Sequence, residues 1–269
     1  MKEIDVIVAC GVNSEKFAEF LIHSIEKTCS GEYFFNFLLG VNDLSVDTNA
    51  LQNIDSKFNI EVYDCITSGQ GSYGHGDSLD LLFPKIKSDI AMTCDVDLVL
   101  LEKNWDIMLI DFFDKTDIAI IGAEYDGAKY MKFPNLVFSL FKTKVFSECN
   151  VSFMPAPENE RKIIIDDKNC GLYARNIGDI IDRDTGWQIC HNLKSNGYSG
   201  YYLPLKRPGV NVDCKFMTSD MRGEEYVLND VPICSHVGRS ATRGFDHPIV
   251  IKWRNRVLEY LKESNKNDF

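Results

Sequence analysis

Long apolar runs are missing from this chain: nothing approaches the roughly 20 consecutive apolar residues of a bilayer-crossing helix, so no membrane span is expected. Metal- or redox-type cysteine pairs are missing too. The nine cysteines are scattered without CxxC spacing, and Cys10, Cys65 and Cys94 sit in apolar strand contexts. That usage points to reduced thiols in a cytoplasmic protein, not to a disulfide framework or a zinc site. The opening residues, MKEIDVIVAC, lack the charged, apolar and small-residue layout of a secretory leader and read at once as a core strand. An excess of basic residues is also absent. Lys and Arg total 29 against 40 Asp and Glu, a net charge of −11, which argues against a general nucleic-acid or anionic-membrane surface. A small anionic substrate is still compatible with that balance, provided basic side chains or a metal neutralise it locally. No internal repeat, low-complexity tract or clear linker divides the 269 residues, so one domain is expected.

What is present is an alternation of strand and helix. IDVIVAC (4–10) reads as a buried strand. A helix follows, with Phe17, Phe20, Leu21 and Ile25 on one face and Asn13 or Ser14 as its cap. FFNFLLGVND (34–43) and IEVYDC (60–65) give two more strands, and SGQGSYGHG (68–76) leads into a helix with Leu79, Leu82, Phe83 and Ile86 on one side. A strand ending at Cys94, a helix from Asn104 and the strand IAIIG (118–122) follow. This order predicts an α/β fold with a mostly parallel central sheet and helices on both faces. Such sheets bind ligands beyond the carboxyl ends of their strands. Those ends are polar or glycine here: Cys10-Gly11, Asn42-Asp43, Asp64-Cys65 and Asp95. The second half is less regular. Its readable pieces are a strand at 136–141, an exposed loop at 154–162, a capped helix ending at Gly197, a strand at 198–205 and a last helix from about Pro248 to Lys262.

MTCDVDLVLL (92–101) poses the chemical question, because Asp95 and Asp97 interrupt a run built for the interior. Unpaired buried carboxylates cost several kcal/mol or become protonated. A divalent cation resolves the conflict, and so does a helix cap or a nucleophilic aspartate. Two acids spaced by two residues share a face of a strand, and hard oxygen ligands suit Mg2+ or Mn2+.

Together these pieces resemble the nucleotide-sugar-dependent glycosyltransferases of the Rossmann-like GT-A fold that carry an Asp-x-Asp motif, family-2-like members in particular. The similarity runs from about residue 4 to 245. It rests on the opening strand–loop–helix, GVND, GQGSYGHGDSLDLL, Asp95-Val96-Asp97, PNLVFSLFKTKVF, DTGW and His236. The resemblance implies an enzyme that moves a sugar from a UDP- or GDP-sugar to a glycan or other hydroxyl acceptor, with inversion at the anomeric carbon. It implies a nucleotide-binding half (1–122), an acceptor-binding half (123–245) and a C-terminal helix (246–269). Asp95, Asp97 and His236 would hold Mn2+ or Mg2+. Ala9, Cys10 and Gly11, through backbone more than side chains, and Asp43, Asp64, His75 and Asp95 would contact the donor, and Arg239 and Arg243 would neutralise its diphosphate. Asp184, before a helix, would be the general base. Tyr125, Tyr130, Tyr173 or Trp187 would stack on an acceptor sugar, and the loop at 154–170 would close over the donor.

Plainer roles compete at several of these positions. Asp43 also suits an Asx turn, Asp184 a helix cap, and His75 or His236 a structural hydrogen bond. The pair Asp182 and Asp184 is a poorer metal site because Arg183 lies between them. CDVDLV also fits the motif of haloacid-dehalogenase-type phosphatases, with Asp95 as nucleophile, Asp166-Asp167 as the metal-binding pair and Lys142 or Lys144 as the required lysine. That family places its nucleophile on the first strand, whereas three strands precede Asp95. A non-catalytic nucleotide-sugar binder, or a nucleotidyltransferase with CGVNSEKF as its phosphate loop, completes the alternatives.

Overall fold

A computed structural model describes residues 2–124, 133–168, 170, 176–210 and 214–264. The chain opens with β1 (Lys2–Cys10), α1 (Glu15–Thr28), β2 (Tyr33–Val41), α2 (Thr48–Gln52), β3 (Asn59–Asp64) and α3 (Ser72–Leu82). It continues through β4 (Ile90–Cys94), β5 (Leu98–Leu100), α4 (Trp105–Lys115), β6 (Ile118–Glu124), β7 (Pro134–Lys142), α5 (Thr143–Glu148) and α6 (Glu158–Arg161). Then come β8 (Lys162–Ile164), β9 (Ile180–Asp182), α7 (Trp187–Ser195), β10 (Ser199–Leu203) and β11 (Leu205–Lys206). The last elements are β12 (Glu224–Leu228), β13 (Val231–His236), α8 (Ser240–Arg243) and α9 (Pro248–Ser264).

Seven strands form the central sheet in the order β10-β6-β7-β4-β1-β2-β3. Only β7 runs against the others, pairing antiparallel with both β4 and β6. Central strands of such a sheet are buried on both faces, which is why β1 reads as an apolar run from Val6 to Cys10. Its side chains alternate all the same. Ile4, Val6, Val8 and Cys10 pack with α1, α4 and α9, while Ile7 and Ala9 join Leu79 and Leu82 of α3 and Phe146 of α5. Asp5, the one charged residue in the middle of β1, is buried and accepts backbone hydrogen bonds from Lys87 (2.5 Å) and Ser88 (2.9 Å), which ties down the entry to β4.

A second, antiparallel sheet has the order β11-β12-β13-β5 and was not expected from the sequence. Its strand β5 is the apolar run 98–100 that follows the acid pair, so Asp95-Val96-Asp97 is the bridge on which the chain leaves one sheet and enters the other. The loop at 154–162 departs from expectation as well. Ala156 is buried, Glu158–Arg161 is helical, and the Phe153 amide is held by Asp80 of α3 at 2.7 Å. All nine cysteines are free thiols. Among the described residues no helix is long and apolar enough to cross a membrane.

Candidate active site

The site is assembled by backbone pairing. The Asp95 amide makes the last ladder bond of its strand, to the Val137 carbonyl at 3.0 Å. A turn closed by Leu98 N–H to the Asp95 carbonyl (3.2 Å) then redirects the chain. Leu98 pairs with His236 at the end of β13, and the Val237 amide donates to the Asp97 carbonyl at 3.2 Å. A histidine 139 positions from Asp97 is thereby brought beside it.

His236 Nε2 lies 3.1 Å from Asp97 Oδ1 and 3.5 Å from Asp95 Oδ2. One ligand atom from each of the three residues falls within 4.8 Å of the other two, a spacing that a single cation can span. Burial alone would depress the His236 pKa. The Asp97, Glu224 and Asp95 carboxylates outweigh it and hold the imidazole well above its ordinary 6.5. The donor set is two carboxylates and one imidazole, which fits Mn2+ or Mg2+ and leaves coordination positions for ligand oxygens and water. Neighbouring sulfur does not compete. Burial pushes the Cys10 thiol up to about 12 and the Cys94 and Cys234 thiols well above their usual range, so all three stay protonated.

These ligands lie in a cleft of about 880 Å³, at the carboxyl ends of β1, β2, β3 and β4, within the size range of small-molecule sites (about 300–1,000 Å³). Ala9, Gly11, Asp43, His75, Asp95, Asp97, His236 and Arg239 all line it. Gly11 comes close to the end of β2; a Cβ there would stand 3.1 Å from Asn42 Oδ1. Asp43 forms the Asx turn that its sequence context allowed, accepting from Ser45 N (2.8 Å) and Ser45 Oγ (2.6 Å), and these bonds lower its pKa. Gly238 (φ 68°) and Arg239 (φ 61°) are both left-handed, a sharp turn after β13 that brings Arg239 to the cleft lining. His75, in the first turn of α3, has a buried Nε2 with no hydrogen-bond partner, 3.7 Å from Asp95 Oδ1. The glycines around it serve packing. A Cβ on Gly74 would meet the Gly69 carbonyl at 2.8 Å, and one on Gly76 would meet the Phe153 carbonyl at 2.9 Å.

Other candidates lie outside the cleft lining. The Cys10 side chain is wholly buried in the core, and Asp64 is exposed, with Oδ1 accepting from the Ile66 amide at 3.0 Å. Arg243 donates to the Val237 and Gly238 carbonyls at 3.4 and 3.2 Å and so braces the turn that carries Arg239. Asp184 is buried, and its Oδ1 accepts from Arg161 Nη2 (2.8 Å) and from the Thr185 amide (2.9 Å). It does not cap α7 with its side chain: Gly186, left-handed at φ 76°, takes the cap position and no side-chain cap bond forms. One face of Trp187 is covered by the Arg183 guanidinium, 4.5 Å from the ring centroid. Tyr125, Tyr130 and Tyr173 lie outside the described residues. Asp166 and Asp167 are exposed and do not line the cleft, and the Lys142 ammonium sits over the Phe113 ring, so the phosphatase constellation does not assemble. Sequence reasoning missed Glu224 and Arg207, which stand behind His236. Nothing in the acidic run GEEY marks one of its glutamates as packed against a histidine.

The parallel sheet with a single reversed strand, and an Asp-x-Asp pair at the end of β4, define an α/β protein of the GT-A fold. No family model matches the chain, and no curated protein does. Among solved structures it is similar to the mannosyltransferase PcManGT from Pyrobaculum calidifontis in complex with GDP-Man and Mn2+. That match has 11% identity, covers 75% of this chain and 54% of that one, and has a TM-score of 0.50. It is also similar to S. aureus TarS (16% identity, 59% and 31% covered, TM-score 0.45) and to mouse xyloside xylosyltransferase 1 in its apo form (12%, 54% and 69%, TM-score 0.41). The chain thus spans 31% of the length of TarS and 54% of that of the mannosyltransferase.

Proposed function

We propose that this chain transfers a sugar from a nucleoside-diphosphate sugar, of the UDP or GDP type, to an acceptor hydroxyl with inversion at the anomeric carbon. The observation that carries this reading is the convergence of Asp95, Asp97 and His236 in a cleft at the carboxyl edge of a GT-A sheet. Mn2+ or Mg2+ held there supplies charge neutralisation for a diphosphate leaving group. Ala9, Gly11 and Asp43 would receive the nucleoside along the β1 and β2 ends. Arg239 would face the diphosphate, and the orphaned His75 Nε2 would donate to a donor oxygen. Asp184 would accept the acceptor proton once Arg161 releases its carboxylate, with residues 1–122 serving the nucleotide and 123–245 the acceptor.

Melting temperatures measured with UDP- and GDP-sugars, each with and without Mn2+, test the proposal. A ligand at 100 times its Kd adds about 2.7 kcal/mol, worth roughly 5–10 °C in a domain of this size. A shift requiring both nucleotide sugar and metal is expected. No shift with any donor, or an identical shift without metal, would overturn the reading. Release of free sugar or transfer to added acceptor then separates an enzyme from a non-catalytic binder on the same fold.

A further inference from the structure

Behind His236 stands a carboxylate that the proposed chemistry does not use. Glu224 opens β12 and is the register partner of His236 at the end of β13. Its Oε2 lies 3.5 Å from His236 Nδ1, on the side of the ring opposite to the nitrogen that faces Asp97 and Asp95. Two further side chains converge on the same carboxylate. Arg207 donates through Nε at 3.1 Å and through Nη2, and the Tyr226 hydroxyl donates to Oε2. Gly223 allows the close approach: its φ is 140°, and a Cβ there would stand 2.9 Å from the His236 carbonyl. A structural ion pair with Arg207 would have no need of the histidine. Facing Nδ1 at 3.5 Å, the carboxylate is placed to bear both on the rotation of the ring and on which nitrogen of a neutral imidazole carries the proton.

We propose that Glu224 is a positioning residue for the cation site. It draws the Nδ1 proton of His236 to itself and leaves the Nε2 lone pair directed at the space between Asp95 and Asp97. Arg207 and Tyr226 hold the carboxylate in that orientation, because a half-buried charge satisfied on one side only would turn toward other partners. This inference rests on the reading of Asp95, Asp97 and His236 as cation ligands.

The test is Mn2+ binding, followed by calorimetry and by pulsed electron paramagnetic resonance of the nitrogen coupled to the metal. Wild-type protein is compared with Glu224→Gln, His236→Gln, the double variant and Asp97→Asn, each checked for fold by circular dichroism. Glu224→Gln is expected to weaken Mn2+ binding by about 10- to 100-fold and to diminish the nitrogen coupling. In the His236→Gln background the same change is expected to have no further effect on affinity. Unchanged affinity and coupling in Glu224→Gln, or an equal loss with and without His236, would overturn the proposal and leave Glu224 a structural ion-pair partner. If wild type binds no Mn2+, or Asp97→Asn binds it equally well, the reading of the site fails first and this inference with it. Should Glu224→Gln not fold, Glu224→Asp keeps the charge but withdraws the oxygens from Nδ1. It is then expected to weaken Mn2+ binding, and wild-type affinity in it would overturn the proposal.

Discussion

At the scale of single residues, the site is a set of charges that only make sense together. Asp97 is almost wholly buried, with a side chain 5% exposed, and His236 Nε2 lies 3.1 Å from its Oδ1. The electrostatics have a pH signature. The His236 pKa lies above 6.5 in the folded chain, so its contribution to stability is fully present below pH 6.5 and is lost as pH rises through the folded value. Burial opposes ionisation of Glu224, but His236, Arg207 and Tyr226 lower its pKa from 4.5 to about 2, so its contribution holds above pH 4.5 and disappears as pH falls toward 2. Metal-free protein is therefore expected to have a melting temperature that falls on both sides of this window. His236→Gln should flatten the alkaline side, and an unaltered alkaline limb would contradict the assignment. Asp184 gives a second residue-scale prediction. If it is the base, Asp184→Asn leaves donor affinity intact and cuts turnover by about 10²-fold or more. Unchanged turnover would reduce Asp184 to the anchor of Arg161.

At the scale of elements, tight backbone contacts set which strands can sit side by side. Gly122 of β6 faces β7 so closely that a Cβ would fall 2.3 Å from the Phe138 carbonyl. Gly122→Ala should destabilise the chain by about 1–3 kcal/mol or more, read as a lower denaturant midpoint, because neither strand can yield without breaking the ladder. An unshifted midpoint would show that the β6–β7 pairing is looser than this packing implies. The same scale explains what the sequence disclosed. Strands β1, β2 and β4 were legible because burial on both faces writes them as largely apolar runs, edge strand β3 because apolar and polar residues alternate along IEVYD, and α1 because Phe17, Leu21 and Ile25 keep helical spacing. The second sheet was not legible. Its strand β12 begins with two glutamates, and Glu225, although fully buried, is satisfied by the backbone amides of Lys215, Phe216 and Met217. Such satisfaction cannot be read from composition. For the same reason Asp95 and Asp97 could be singled out from their apolar flanks, whereas His236 could be joined to them only through the family resemblance, since a pairing 139 residues distant makes the contact.

At the scale of the whole molecule, a chain of net charge −11 would, on the proposed function, receive an anionic donor in a cleft whose one arginine, among its described lining residues, is Arg239. On that reading, local neutralisation would come mainly from a cation held by Asp95, Asp97 and His236. The layout serves this end. Two sheets meet at the Asp95–Asp97 bridge, α3 brings His75 to the opposite side of Asp95, and the turn after β13 supplies Arg239. The most direct measurement is anomalous diffraction from crystals grown with saturating Mn2+ and a nucleoside diphosphate. The account predicts one manganese peak within coordination distance of Asp95, Asp97 and His236, with phosphate oxygens completing its shell. A nucleotide bound elsewhere, or no manganese between those three side chains, would contradict it.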